Sequence, residues 1–156
     1  MIVNFELGEN AKLPTKENET DAGYDLYSAE EVVIESKQRK LVKTNLIYEP
    51  VLSVEELELF KKFNMTLYAS IRDRSGNALK LGLTVLGGVV DYNYRNIIGV
   101  ILYNTSEEPI SIEVGSKIAQ LIFTPCFIPK IQQVLFVNKE TDRGQNGFGS
   151  SGIIGQ

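Results

Sequence analysis

The chain has 156 residues, one cysteine and no histidine, and its formal net charge is −4 at pH 7. This composition predicts a single globular domain and excludes an intrachain disulfide, a Cys/His zinc site and any nucleophile activated by histidine. A bound metal would therefore be a hard, oxygen-ligated ion such as Mg²⁺, and a general base would be a carboxylate, a lysine or a tyrosine. The negative charge argues against direct nucleic acid binding but is compatible with a small polyanion held by a few clustered cations.

The start of the chain, Met1 to Asn10, lacks the basic residues and the long apolar centre of a signal peptide. No apolar run in the sequence approaches the length of about 18 residues that a transmembrane helix needs. We therefore expect an intracellular protein, cytoplasmic or nuclear, that is neither secreted nor bound to a membrane.

Most of the chain predicts short β-strands, because brief runs rich in β-branched and aromatic residues are separated by Gly, Pro, Asn or charged clusters. In chain order these runs occupy residues 2–7, 24–29, 32–34, 40–48, 66–72, 97–104, 109–114 and 119–123. The polar segment from Glu9 to Thr20 predicts a surface loop. The whole pattern favours a β-sandwich, jelly roll or barrel.

One helix is predicted, from Val54 to about Asn64. Ser53 and Glu56 have the spacing of a capping box, and apolar residues follow at helical spacing. We expect its apolar face to pack on the chain's own sheet in preference to a neighbouring chain.

Four polar motifs lie within or between the predicted strands, and each has an ordinary structural explanation when taken alone. Turn chemistry explains the first three, and a structural hydrogen bond from Gln120 explains the fourth. We expect the third motif to form a β-hairpin whose tip carries Asp91 and Tyr94. The motifs are D-A-G-Y-D-L-Y-S-A at residues 21–29, R-S-G at 74–76, G-V-V-D-Y-N-Y-R at 88–95 and G-S-K-I-A-Q-L-I at 115–122.

A fifth motif, R-G-Q-N-G-F-G-S-S-G at residues 143–152, lies in the last sixteen residues, which contain five glycines, one arginine and one aromatic residue. Its composition alone favours a flexible tail. Its parts also suit a nucleotide, because glycine backbone and an arginine fork bind phosphates and an aromatic face stacks on a base. We expect a domain over residues 1–140 and a flexible glycine-rich arm over residues 141–156.

In their order and spacing, the five motifs resemble those of the trimeric dUTPase family (deoxyuridine 5′-triphosphate nucleotidohydrolases), from Asp21 to Gly152. The resemblance implies an all-β fold, a distorted jelly-roll β-barrel with one short helix, and a homotrimer whose active sites are shared between subunits. It also implies hydrolysis of dUTP to dUMP and pyrophosphate with Mg²⁺ as cofactor. That reaction limits uracil incorporation into DNA and supplies dUMP for dTMP synthesis.

The resemblance further implies roles for individual residues. Asp91 would activate the water that attacks the α-phosphorus, and Asp25 would reach the magnesium through water. Tyr94 would pack under the deoxyribose and reject ribonucleotides, while the backbone of a hairpin around Val85 to Gly88 would read the uracil edge.

The remaining contacts that the resemblance implies are those to the phosphates and those made by the arm over residues 141–156. Arg143 would meet the terminal phosphate, and Phe148 would stack on the base as the arm closes over the site. The other substrate-binding residues that the resemblance implies are Arg74, Ser75, Gly76, Gln120, Gly149 and Ser150.

Four residues depart from the family pattern: Asp73, Asn77, Asn93 and Asn96. Asp73 stands where the family usually has proline, and it would add negative charge close to the phosphates. Asp73, Asn77 and the segment from Ser53 to Asn64 motivate a second hypothesis, a catalytically weak nucleotide-binding regulator on the same scaffold. A dCTP deaminase and a purely structural jelly-roll protein are further alternatives.

Overall fold

The computed structural model describes residues 1–142 and residue 144. Within this part of the chain, eleven β-strands and two short helices form a mostly β domain. The helices are α1 (Val54–Lys62) and α2 (Ser75–Leu81). The strands are β1 (Ile2–Leu7), β2 (Tyr24–Tyr27), β3 (Val32–Ile34), β4 (Arg39–Lys43), β5 (Leu46–Val51), β6 (Met65–Arg72), β7 (Leu83–Leu86), β8 (Val89–Asp91), β9 (Gly99–Asn104), β10 (Ile110–Ile112) and β11 (Lys117–Phe127).

The strands pair antiparallel in four small sheets. The largest has the order β2-β11-β6-β8, a second has the order β4-β9-β7, and β1-β5 and β10-β3 form two-stranded sheets. Most neighbours in a sheet are distant in sequence, so the fold depends on long-range pairing and not on local hairpins.

One core unites the four sheets, because buried side chains from each of them join a single apolar cluster. In β6 the alternation of Leu67, Ala69 and Ile71 directs every second side chain inward. This alternation is the signal by which the sequence predicts the strand.

The run predicted as one strand over residues 40–48 is two strands. The chain breaks at Thr44 and Asn45, where Asn45 has a left-handed φ of 52°. Buried Thr44 fixes this corner, since its Oγ1 donates to the Ile98 carbonyl at 2.7 Å. As a result β4 pairs with β9, whereas β5 pairs with β1.

The predicted hairpins at residues 85–96 are also absent from the described fold. Strand β8 pairs with β6, while β7 and β9 pair with each other in another sheet. The chain crosses between the two sheets at Gly87, whose φ is 61°, and Gly88, where an added Cβ would lie 2.2 Å from the Ile71 carbonyl oxygen. Asp91 therefore ends an edge strand and is not at a hairpin tip.

The expectation of one helix is wrong, because α2 begins within the R-S-G motif and ends at Leu81, where Gly82 caps it with a φ of 67°. The helix predicted from Val54 is present and ends at Lys62. Its capping box is formed as expected. None of the nine residues of α1 is buried, so its packing on the sheet is looser than we expected.

After β11 the chain continues to residue 140 without a helix or strand. Its apolar side chains are strongly exposed, with Ile131 92%, Leu135 92% and Phe136 89% accessible. The arm predicted over residues 141–156 lies outside the described residues except at 141, 142 and 144.

Candidate active site

Asp25 is the centre of an ion-pair group that joins three elements. Its Oδ1 accepts a hydrogen bond from Arg74 Nε at the start of α2, and its Oδ2 contacts Lys117 Nζ on β11, both at 2.7 Å. The hydrogen bond to Asp25 and the charge of that carboxylate raise the pKa of Lys117. One carboxylate thus holds two cationic groups side by side.

These three residues line a polar cleft of about 510 Å³, a volume suited to a small ligand. Ser75 and Gly76 line it at the first turn of α2. A Cβ added to Gly76 would meet no atom within 4 Å, so packing does not require a glycine there. The polar cleft is lined by Lys16, Glu17, Asp21, Ala22, Gly23, Asp25, Arg74, Ser75, Gly76, Lys117 and Gln120.

Gln120 connects the first and fourth motifs to Asp73, the residue before the second motif. Its Nε2 donates to the Asp73 carbonyl at 2.7 Å, which supplies the partner that the sequence required. Its Oε1 would lie 2.1 Å from a Cβ on Gly23, so any other residue at position 23 would require the Gln120 side chain to move. In the register of the sheet, Gln120 lies opposite Asp25 on one side and Arg72 on the other.

The Asp73 side chain points to β7 and does not line the polar cleft. Its carboxylate accepts a hydrogen bond from the Val85 backbone N–H and another from Thr84 Oγ1 at 3.2 Å. The departure from the family pattern therefore ties the phosphate motif to the segment predicted to read the base. Asn77 is structural too, because its Nδ2 donates to the Lys117 carbonyl at 2.9 Å and fixes α2 to β11.

Asp91 has an exposed side chain at the end of β8. A turn follows, in which the Tyr94 N–H donates to the Asp91 carbonyl at 3.0 Å and Tyr94 Oη donates to Ile97 O at 3.2 Å. Arg95 closes the same turn by donating to the carbonyls of Tyr92 and Tyr94.

Asp91 is one of the residues that line a separate cavity of about 480 Å³, which we call the Asp91 cavity. Val85 and Gly88 line a third cavity, which shares Tyr68 and Val89 with the Asp91 cavity. The single chain thus brings Asp25, Arg74, Ser75, Gly76 and Gln120 together and leaves Asp91 and Tyr94 outside the polar cleft. The Asp91 cavity is lined by Thr66, Leu67, Tyr68, Val89, Asp91, Tyr92, Asn93 and Cys126.

The structure adds three residues that the sequence reasoning missed: Lys16, Lys117 and Tyr48. The position of Lys117 in the fourth motif, three residues before Gln120, was an available signal. No signal in the sequence indicated Tyr48, because its hydroxyl bonds to Asp91, a residue 43 positions away in sequence. Four predicted residues, Arg143, Phe148, Gly149 and Ser150, lie outside the described part of the chain.

The donor groups present are compatible with Mg²⁺ when a triphosphate supplies further oxygens. Within residues 1–142 and 144, no three His, Cys, Asp or Glu side chains gather as a metal site. Magnesium commonly takes one or two carboxylates, several waters and substrate phosphates, and Asp25 provides such a carboxylate in the polar cleft. The same described residues include no helix that is long and apolar enough to span a bilayer.

The family model for dUTPase matches residues 9–152. This chain belongs to the dUTPase family. The deoxyuridine 5′-triphosphate nucleotidohydrolase of Clostridium novyi is 41% identical over 147 residues, which cover 93% of this chain and 94% of that protein. The enzyme of the same name from fowlpox virus is 37% identical over 154 residues, covering 97% of both chains.

Solved dUTPase structures share this fold. The dUTPase of Staphylococcus bacteriophage 80alpha with dUpNHpp superposes with a TM-score of 0.82 at 27% identity, covering 97% of this chain and 99% of that one. A mutant dUTPase of phage phi11 of S. aureus, described as coordinating a structural Mg(II) ion, superposes with a TM-score of 0.73 at 24% identity, covering 88% and 99%.

Proposed function

We propose that this protein hydrolyses dUTP to dUMP and pyrophosphate, with Mg²⁺ as cofactor and Asp91 as the general base. The observation that carries the proposal is the polar cleft, in which Arg74, Ser75, Gly76 and Gln120 converge on Asp25. The family membership of the chain supplies the substrate class, since the relatives described above are named for dUTP hydrolysis. In a cell, this reaction would limit uracil incorporation into DNA and supply dUMP for dTMP synthesis.

The polar cleft could hold a triphosphate through three cationic side chains, Lys16, Arg74 and Lys117, which line it together with three carboxylates. Phosphoryl transfer needs mainly positioning and neutralisation of charge, so fixed cations are the larger part of what the protein must provide. Asp25 would hold Mg²⁺ through water, and the ion would neutralise charge on the phosphates and the leaving pyrophosphate.

Asp91 is the candidate base because its carboxylate is exposed while its backbone is fixed on both sides. A carboxylate can orient a water and take its proton, which contributes roughly 10²–10⁴-fold to a hydrolysis rate. Tyr94 follows at the turn and would pack under the deoxyribose. The backbone around Val85 to Gly88 would read the uracil.

We propose a homotrimer in which neighbouring chains combine these parts. Two observations support a shared site. Asp91 and Arg74 line different cavities of one chain. The segment after β11 also exposes Ile131, Leu135 and Phe136 almost fully, and such apolar surface is stabilised when another chain covers it.

The arm over residues 141–156 completes the proposal. Its Arg143 would bind the terminal phosphate and Phe148 would cover the base, with Gly149 and Ser150 against the phosphates. A segment that closes over bound substrate excludes water from the reaction, as lid segments do in other enzymes.

A nucleotide panel tests the function. Pyrophosphate release is measured from dUTP, dTTP, dCTP and UTP with and without Mg²⁺, and a chain shortened after Glu140 is the control that lacks the arm. We expect dUTP to be preferred by roughly 10²-fold or more in kcat/KM, with little activity in the control. Equal rates on all four nucleotides would contradict the specificity, and tight dUTP binding without hydrolysis would indicate a regulator instead.

A further inference from the structure

A buried phenol lies directly beneath the proposed base. Tyr48 on β5 is 1% exposed, and its hydroxyl oxygen is 2.5 Å from the Asp91 carbonyl oxygen and 3.2 Å from the Val90 carbonyl oxygen. The hydroxyl has one hydrogen, and the shorter distance indicates that Asp91 is its main acceptor.

We infer that Tyr48 is a positioning residue that sets the direction of the Asp91 carboxylate by anchoring the Asp91 backbone. The inference rests on the proposed function, because it assumes that Asp91 is the base. Tyr48 itself touches neither the polar cleft nor the Asp91 cavity, so it is not a catalytic residue.

The position of Asp91 in the fold explains why it needs an anchor. Strand β8 has three residues and is an edge strand that pairs with β6, where Asp91 lies opposite Tyr68. The chain turns away immediately afterwards. A hydrogen bond from β5, which belongs to another sheet, fixes the last residue of β8 from a second direction.

The surroundings hold the phenol in place and keep it protonated. Its ring packs against Phe123 with 6.4 Å between the ring centroids. Burial, the largest influence, raises the pKa of Tyr48 to about 12, and nearby Asp91 and Tyr92 act in the same direction while Arg95 opposes them. The hydroxyl therefore stays a donor throughout the neutral range.

Tyr48→Phe removes the hydroxyl and keeps the ring, so it isolates the hydrogen bond. We expect kcat for dUTP to fall about fivefold to tenfold, the effect of one lost hydrogen bond on the transition state. KM and the Kd of a non-hydrolysable dUTP analogue should stay within about twofold, since no substrate contact is lost. Tyr103→Phe is the matched control, because the Tyr103 hydroxyl makes no hydrogen bond within the described part of the chain and should leave kcat unchanged.

A double-mutant cycle with Asp91→Asn distinguishes positioning from a general structural effect. Asp91→Asn alone should lower kcat by roughly 10²-fold or more. If Tyr48 acts through the carboxylate, adding Tyr48→Phe to Asp91→Asn causes no further decrease. A purely structural role would instead lower kcat by the same factor in both backgrounds.

Several results would overturn the inference while wild-type activity stands: an unchanged kcat in Tyr48→Phe, weakened analogue binding, equal effects in both backgrounds, or a variant that is unfolded at the assay temperature by circular dichroism. Wild-type protein that binds dUTP without hydrolysing it would overturn the proposed function instead. Failure of the Tyr48 inference can therefore be distinguished from failure of the proposed function.

Discussion

At the scale of single residues, Asp73 shows how a departure from the family pattern can be structural. Its carboxylate accepts hydrogen bonds from β7, and its carbonyl accepts one from Gln120. It therefore links the polar cleft to the Val85 segment, and its charge is directed to backbone and hydroxyl donors.

Asp73→Ala should lower kcat/KM for dUTP by roughly fivefold or more. The substitution leaves the Val85 N–H without its acceptor in the chain, and a typical hydrogen bond contributes about 0.5–1.5 kcal/mol. Asp73→Asn is the matched control, because its amide oxygen can still accept from Val85. Steady-state kinetics on both variants measure the loss of kcat/KM. Equal losses in the two variants would show that the charge of Asp73, and not its hydrogen bond to Val85, matters.

Tyr48 also predicts a dependence of stability on alkaline pH. Its pKa is raised from 10.0 to about 12 in the folded chain, chiefly by burial. The folded state favours the neutral phenol, so this contribution to stability is complete below pH 10 and is lost as the pH rises through 12. Urea unfolding between pH 8 and pH 11 should show that the free energy of unfolding falls more steeply with pH in wild type than in Tyr48→Phe. Identical pH slopes in the two proteins would contradict this cause.

At the scale of elements, the sequence predicts most of the strands, because the alternation of buried and exposed side chains is local. The break between β4 and β5 was missed although Lys43, Thr44 and Asn45 interrupt the apolar pattern. The bond that fixes this corner joins buried Thr44 to Ile98, a residue distant in sequence. Helix α2 was missed because Ser75, Gly76 and Asn77 are weak helix formers.

The candidate site shows the same limit. The order of the motifs along the chain indicated the residues that line the polar cleft. In the structure, the pairing of β11 with β2 places Gln120 opposite Asp25. Sequence reasoning assumed that Asp91 lies at the tip of a hairpin, but strand partners depend on the whole fold. The bond from Tyr48 to Asp91 joins two sheets, and neither strand carries a local sign of it.

Helix α1 predicts a purely local effect of its cap. Ser53→Ala removes the acceptor for the Glu56 N–H, a change that costs about 1 kcal/mol in a helix. Because none of the nine residues of α1 is buried, we expect faster amide exchange over residues 54–62 with little change in Tm. A fall in Tm of several degrees would show instead that α1 is part of the cooperative core.

At the scale of the whole molecule, the apolar segment after β11 predicts how the chain associates. Charges at its two neighbouring positions, Leu135→Asp and Phe136→Asp, should weaken the proposed trimer, because they would be buried at the interface. Analytical ultracentrifugation should show wild type at three times the 17.4 kDa chain mass and the double variant shifted toward one. Lys130→Asp is a control in the same segment, and equal disruption by it would contradict the special role of the apolar side chains.

Asp25 has a consequence for binding that follows from the two ion pairs it makes. Long cationic side chains lose up to about 2 kcal/mol of rotamer entropy each when they are fixed. Arg74 and Lys117 are already fixed by Asp25 in the folded chain, so this loss accompanies folding and not ligand capture. An arriving polyphosphate would meet a preorganised pair of positive charges.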